Sequence, residues 1–473
     1  MNRQFMVVGR QRSPMRGHML WLTGAMFSAA TLAQSLPPPN LPHYALVEPD
    51  KKAYGRASYD FRDVGCIDYW FVGHDTTDGP FMCDLAQKGA FKSRTTRLPT
   101  KAVDGTDMDR HECGFMHLDG DRKIDMVCTL GANKGTGTGP NEVYRNTSTS
   151  TKVQMTRIST PTGIEDPYGR GRTVEPFRWA DGTQGVWTTV HGALRLDGHP
   201  NINRLFRYNG LGSFTFTEVP EPLVNITTYN NCSRSGDLNG DGLDDLVLCR
   251  DVGEGGKHPA PSLVLYQNPD MSWRSATLPM ASKYWLTAEV RDLNQDGRKD
   301  LLVSISEAGN YRIELYLQAA DGSLPAQPSW SAALSAPANS LAVGDMDGDG
   351  HPDIYVTQSQ TAVCQNQGKT KGKMTDTWPD VLFYSAGVSG GGWAPLVLSN
   401  EPQADGCSWL ATAAEPGVIH LARGYEGYPG DNYVVFFGAA AAQAAKVTPT
   451  APPTQAQRQR AWREAILEQI RDR

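Results

Sequence analysis

The feature that most constrains this fold is a nine-residue acidic loop that occurs three times at nearly constant spacing. The segments are DLNGDGLDDLVL from Asp237, DLNQDGRKDLLV from Asp292 and DMDGDGHPDIYV from Asp345. Each loop has Asp first, Asn or Asp third, Asp fifth, Gly sixth and Asp ninth. Alternate side-chain oxygens on a tightly curled loop can converge on one hard cation, and Gly at the sixth position permits the left-handed turn that curls it. An all-oxygen donor set on a flexible loop favours Ca²⁺ over transition metals. An EF-hand is excluded, because its twelfth position needs a bidentate Glu. Here that position holds Leu248, Val303 and Val356, and the residues after each loop read as strand.

The loops begin at 237, 292 and 345, steps of 55 and 53 residues. Worn copies extend the series upstream. HLDGDRKID, from His117, keeps Asp119, Asp121 and Asp125 but has Arg122 in place of the glycine. DFRDVGCID, from Asp60, keeps the first and last acids and the Gly. WADGTQGVW, from Trp179, keeps an Asp-Gly turn, and a further module follows near Asp405. Starts at 60, 117, 179, 237, 292, 345 and about 405 give seven modules of 53–62 residues, each with room for four short strands. The spacing therefore predicts an all-β fold: a seven-bladed β-propeller over residues 44–438 with calcium-binding hairpin loops.

These loops with their following strands resemble the FG-GAP/VCBS repeats of integrin α-subunit propellers and of many secreted bacterial proteins. The resemblance covers residues 237–360 most fully, is weaker at 117–130, and rests on spacing elsewhere. It implies that Ca²⁺ is held by Asp237, Asn239, Asp241, Leu243 and Asp245. A second ion falls to Asp292, Asn294, Asp296, Arg298 and Asp300, and a third to Asp345, Asp347, Asp349, His351 and Asp353. The seventh residue of each set (Leu243, Arg298, His351) contributes its main-chain carbonyl. Arg122 lacks glycine's freedom and brings a positive charge, so weak or absent calcium is expected in the second module, and none in the first, third and seventh.

The N-terminus reads as an export signal over residues 1–33: four arginines, no acid, then the apolar run MLWLTGAMFSAA. Its removal changes the net charge from −6 to −10, which disfavours nucleic acid as a partner. No later stretch is long and apolar enough for a transmembrane helix. A Pro-rich linker is expected at 34–43, an Ala/Pro/Thr linker at 439–454 and a short charged helix at 455–473. The eight cysteines fit a secreted, periplasmic or cell-surface location. They fall in sequence as Cys66/Cys83, Cys113/Cys128, Cys232/Cys249 and Cys364/Cys407; 105 pairings are combinatorially open, but two of these pairs bracket the repeat loop.

No zinc-protease, phosphate-loop or dinucleotide motif is present. GVSGG around Ser389 runs into more glycine and not into a helix, against a nucleophile elbow. The expected function is a non-catalytic recognition or adhesion module for an extracellular glycan or protein ligand. The alternative is a secreted polysaccharide lyase or hydrolase built on the same scaffold, since propeller active sites leave no linear motif.

Overall fold

The computed structural model describes residues 43–437 apart from 51–52, 74–78, 86–90, 93–97, 99–109, 132–139, 160, 193–197, 229, 251–261, 277, 279–284, 308, 359–378, 386–391, 399–407 and 424–429. The expected export signal, the linker at 439–454 and the C-terminal helix lie outside these residues, as do Cys364, Cys407 and Ser389. Among the described residues every regular element is a β-strand, and no helix is long and apolar enough to cross a membrane. The strands form seven four-stranded antiparallel sheets.

Six of these blades are consecutive, at 53–92, 110–157, 171–219, 230–275, 285–333 and 338–397. The seventh joins both ends of the chain. Its first three strands are Ser408–Glu415, Val418–Arg423 and Gly430–Phe436, and its fourth is His43–Asp50. His43 pairs with Phe436 and Asp50 with Gly430 in an antiparallel register. The first strand of each blade contacts the first strands of both neighbours, and that of blade 7 meets those of blades 6 and 1. The sheets therefore close into a ring, with first strands innermost. The expected seven-bladed propeller is the observed fold; the strand that closes it carries no repeat signature and was not legible in the sequence.

Why each blade forms follows from where its strands are buried. The second strands Asp125–Leu130 and Asp353–Gln358 are covered along their whole length, because neighbouring blades pack on both faces. That double cover selects continuous apolar runs such as DIYV in place of alternation. The core consequently lies between blades. Val247 and Cys249 of blade 4 pack with Trp285, Leu301 and Val303 of blade 5, and Tyr355 and Leu382 of blade 6 pack with Ile419 and Val435 of blade 7. Trp70, Trp187 and Trp285 are fully buried here, and Trp179, Trp273 and Trp393 nearly so, which assigns them to packing.

Three disulfides reinforce the inner hairpins. Cys113–Cys128 and Cys232–Cys249 link directly paired residues of the first two strands in blades 2 and 4, with Cα atoms 4.1 and 5.0 Å apart. Cys66–Cys83 ties the first hairpin of blade 1 to the end of its third strand, at 6.2 Å between Cα atoms.

Candidate functional site

The repeat loops connect the first and second strands of blades 4, 5 and 6, and they share one hydrogen-bond skeleton. The leading Asp caps the curl: Asp237 accepts N–H bonds from Gly240 at 2.6 Å and Gly242 at 2.8 Å, and Asp345 does the same from Gly348 at 2.7 Å and Gly350 at 3.0 Å. Asp292 accepts from Asp296 at 3.1 Å and Gly297 at 2.8 Å. The sixth-position glycines Gly242, Gly297 and Gly350 have φ of 83°, 88° and 86°, the left-handed turn the sequence requires. Asn239, Asn294 and Asp347 accept from the residue two ahead, as do Asp241, Asp296 and Asp349.

The ninth residue does something the sequence reading missed. Asp245, Asp300 and Asp353 are completely buried. One oxygen of each accepts the N–H of the loop's second residue (Leu238, Leu293 or Met346) at 2.6–2.8 Å. The other accepts the N–H of Gln267, Gln318 or Ser385 at the end of the third strand, at 2.8–3.0 Å. This carboxylate staples the loop to its own sheet. Burial pushes Asp245 and Asp353 up to about 7 and Asp300 up to about 6, against the lowering by those amide bonds. The signal was present: Asp125 in the worn second loop is kept where the glycine is lost, and it accepts from Leu118 and Asn146 at 2.8 Å in the same way.

Only at the third loop, among the described residues, do three acids bring oxygens within 4.8 Å of one another: Asp345, Asp347 and Asp353. Burial, joined by the Asp349 and Asp345 charges, raises Asp347. The Tyr384 hydroxyl, on a 6% exposed side chain and without a partner, faces the same field; burial and the Asp353 and Asp347 charges raise it. In the second loop, Arg298 instead pairs with Asp296 and donates from Nε to the Gln318 carbonyl at 3.0 Å. The worn loops carry this substitution further. In blade 1 the buried Arg62 makes a two-pronged pair with Asp68, at 3.0 and 2.8 Å. In blade 2 Arg145 holds Asp119 at 2.7 Å, and Arg122 reaches across to Asp63 of blade 1 at 2.9 Å. Guanidinium groups there supply positive charge to the acidic loop positions.

Each loop is also gripped by the following blade. Gln318 of blade 5 donates to the Asp237 carbonyl at 3.1 Å, and Gly322 lies so close that a Cβ would stand 1.8 Å from the Asn239 carbonyl oxygen. Gln295 of blade 5 donates to Gly350 of blade 6 at 2.6 Å, and Gly417 of blade 7 to Asp345 at 2.7 Å. The loops are thus inter-blade latches as well as acidic pockets.

Two further side chains are placed by the same inter-blade packing, one of them Asn146, which opens the Asn-Thr-Ser sequon at 146–148. The Asn146 amide donates to the Phe61 and Ile124 carbonyls at 3.0 Å and is buried, so this sequon is closed to modification in the folded state. At the seam between blades 7 and 1, His420 is 1% exposed, and Ser58 Oγ lies 2.9 Å from its Nδ1. Burial pushes His420 down to about 3. The native state then binds fewer protons than the unfolded chain between that value and the ordinary histidine range, so stability is complete above about pH 6.5 and falls as pH drops towards 3. Urea unfolding is expected to show a loss of roughly 3 kcal/mol from this group at pH 4, and His420→Gln to flatten that slope.

Comparison with known proteins places the loops in a family. The FG-GAP-like repeat model matches residues 237–303 and 292–356. No curated protein sequence matches the chain. Among solved structures, a protein of unknown function from Dyadobacter fermentans is 10% identical, with 85% of this chain and 100% of that one covered at a TM-score of 0.44. BBS1N in complex with ARL6DN is 8% identical over 87% and 98% of the two chains, at 0.47. The Dos1 propeller is 7% identical over 84% and 95%, at 0.44. The chain is a seven-bladed β-propeller that carries FG-GAP-like repeats at residues 237–356.

Proposed function

We propose that this is an exported propeller whose three repeat loops bind Ca²⁺, and that it acts as a non-catalytic recognition or adhesion module for carbohydrate or protein ligands. The observation that carries the proposal is the third loop, where amide bonds gather three carboxylates within 4.8 Å into an all-oxygen donor set. Asp345, Asp347, Asp349 and Asp353 with the His351 carbonyl would hold the ion there; the corresponding residues from Asp237 and from Asp292 would hold the others. Bound calcium supplies the positive charge that arginines supply in the first two blades. Because each loop latches onto the next blade, relieving its charge stiffens the ring, and a stiff ring presents its faces preorganised for a ligand.

Support for recognition over catalysis comes from how the acids are used. The ninth-position aspartates, Asp68 with Arg62, and Glu142 with Arg110 are buried in scaffold contacts and are closed to a substrate. The test is a panel of polysaccharides and matrix proteins, read for saturable binding and for reducing ends or unsaturated products. Binding without product is expected. Reproducible turnover of any polysaccharide would establish the lyase or hydrolase reading in its place.

A further inference from the structure

On the ring face opposite the repeat loops, blade 3 begins with the sequence Asp166-Pro-Tyr-Gly-Arg-Gly-Arg172, and its geometry is built around one arginine. The Gly169 N–H closes a turn on the Asp166 carbonyl at 3.0 Å, with Pro167 at the corner that favours it. This turn leaves Tyr168 48% exposed. The main chain of Arg170 is pinned on both sides: its N–H donates to Asn201 Oδ1 at 3.3 Å, and its carbonyl accepts the His191 N–H at 3.1 Å. Asn201 is itself fully buried and donates to the Gly192 carbonyl at 3.2 Å. The guanidinium lies against Gly192, where a Cβ would stand 3.0 Å from Nη1. Among the described residues that guanidinium makes no hydrogen bond or ion pair. Asp166, the nearest acid along the chain, is turned to Arg204 at 3.5 Å. Arg172 follows two residues on, and both arginines remain partly accessible. Burial, with the Arg172 and Arg170 charges, pushes the adjoining His191 down to about 3, so it is neutral at pH 7.

We propose that Arg170 and Arg172, with the ring of Tyr168, form a binding site for a carboxylated polysaccharide. The planar fork of a guanidinium matches a carboxylate, and an exposed aromatic face stacks on the apolar side of a sugar ring. The Arg170 guanidinium, unpaired among the described residues, places positive charge at this point of a chain of net charge −6, which favours an anionic ligand over a neutral one. This deepens the recognition reading and rests on it.

The experiment measures binding of polygalacturonate, neutral dextran and poly-glutamate to the intact protein and to an R170A/R172A variant. Wild-type protein is expected to bind polygalacturonate, with affinity that falls as salt rises, and the variant to bind at least about tenfold more weakly while melting at the wild-type temperature. Neutral dextran should not be retained, and poly-glutamate should bind less tightly, for want of a ring to stack on Tyr168. Equal affinity of wild type and variant, or equal retention of dextran, overturns the proposal. So does tighter binding of poly-glutamate, which would make this a peptide site. If wild type binds other ligands of the wider panel but not polygalacturonate, this site fails and the recognition reading stands; if it binds none, both fail.

Discussion

Replacing Asp245 by alanine is expected to destabilise the propeller by about 2–5 kcal/mol, because two buried amides lose their acceptor together. The Leu238 and Gln267 N–H groups both end on this carboxylate, one on each oxygen, in a site from which water is excluded. The contrast is Asp241→Ala in the same loop. Asp241 is exposed and accepts only the Leu243 N–H at 2.9 Å. Its loss is expected to cost under about 1 kcal/mol in a chelator and more in millimolar calcium. Urea unfolding in the two buffers separates a scaffold acid, damaging in both, from an acid that matters only if the loop takes up calcium as proposed. If Asp245→Ala unfolds at the wild-type urea concentration, the staple has been misread.

Arg62→Met is expected to cost about 3–5 kcal/mol by leaving the Asp68 carboxylate buried without its cation. Asp68 is completely buried, and beyond Arg62 it keeps only the Cys83 N–H at 3.0 Å. Burial raises it to about 6 even with the guanidinium in place, which shows how strongly this site resists charge. Adding Asp68→Asn to Arg62→Met should recover much of the loss, since a neutral amide removes the unpaired charge; the double-mutant cycle gives the coupling directly. A single variant as stable as the wild type would contradict the assignment of Arg62 as the fixed cation of blade 1.

The sequence was legible where a backbone conformation or a period demanded particular residues. Gly242, Gly297 and Gly350 announce a left-handed turn, and their spacing with the worn copies counts the blades. What spacing could not reveal was pairing between distant segments: His43–Asp50 is an ordinary strand whose partner lies at the far end of the chain. Nor could it rank the acids within a loop. Asp241 and Asp245 look alike in the repeat, yet one is exposed and the other buried, because only the second begins a strand covered on both faces. Arg62 and Arg145 pair with acids of the loops from outside the motif's pattern, one between the acids and one on a neighbouring strand, so they read only as decay. Cys113–Cys128 and Cys232–Cys249 followed from the cysteines' places around a hairpin, whereas Cys66–Cys83 matched only the order of the cysteines along the chain. Arg170 carried no motif at all, and its isolation is visible only once Asp166 is seen turned to Arg204.

Calcium is the central claim, and it has a direct measurement. Metal analysis of the purified protein, followed by melting curves in a chelator and after return of about 1 mM calcium, addresses it in one series. With a dissociation constant near 0.1 mM, each site adds roughly 1.4 kcal/mol by mass action. Three sites together then raise the melting temperature by several degrees, and Asp345→Ala should remove a share of that rise. Calcium near three ions per chain and a reversible, calcium-dependent shift are the expected result. No bound calcium, with identical curves in chelator and in calcium, would contradict the account.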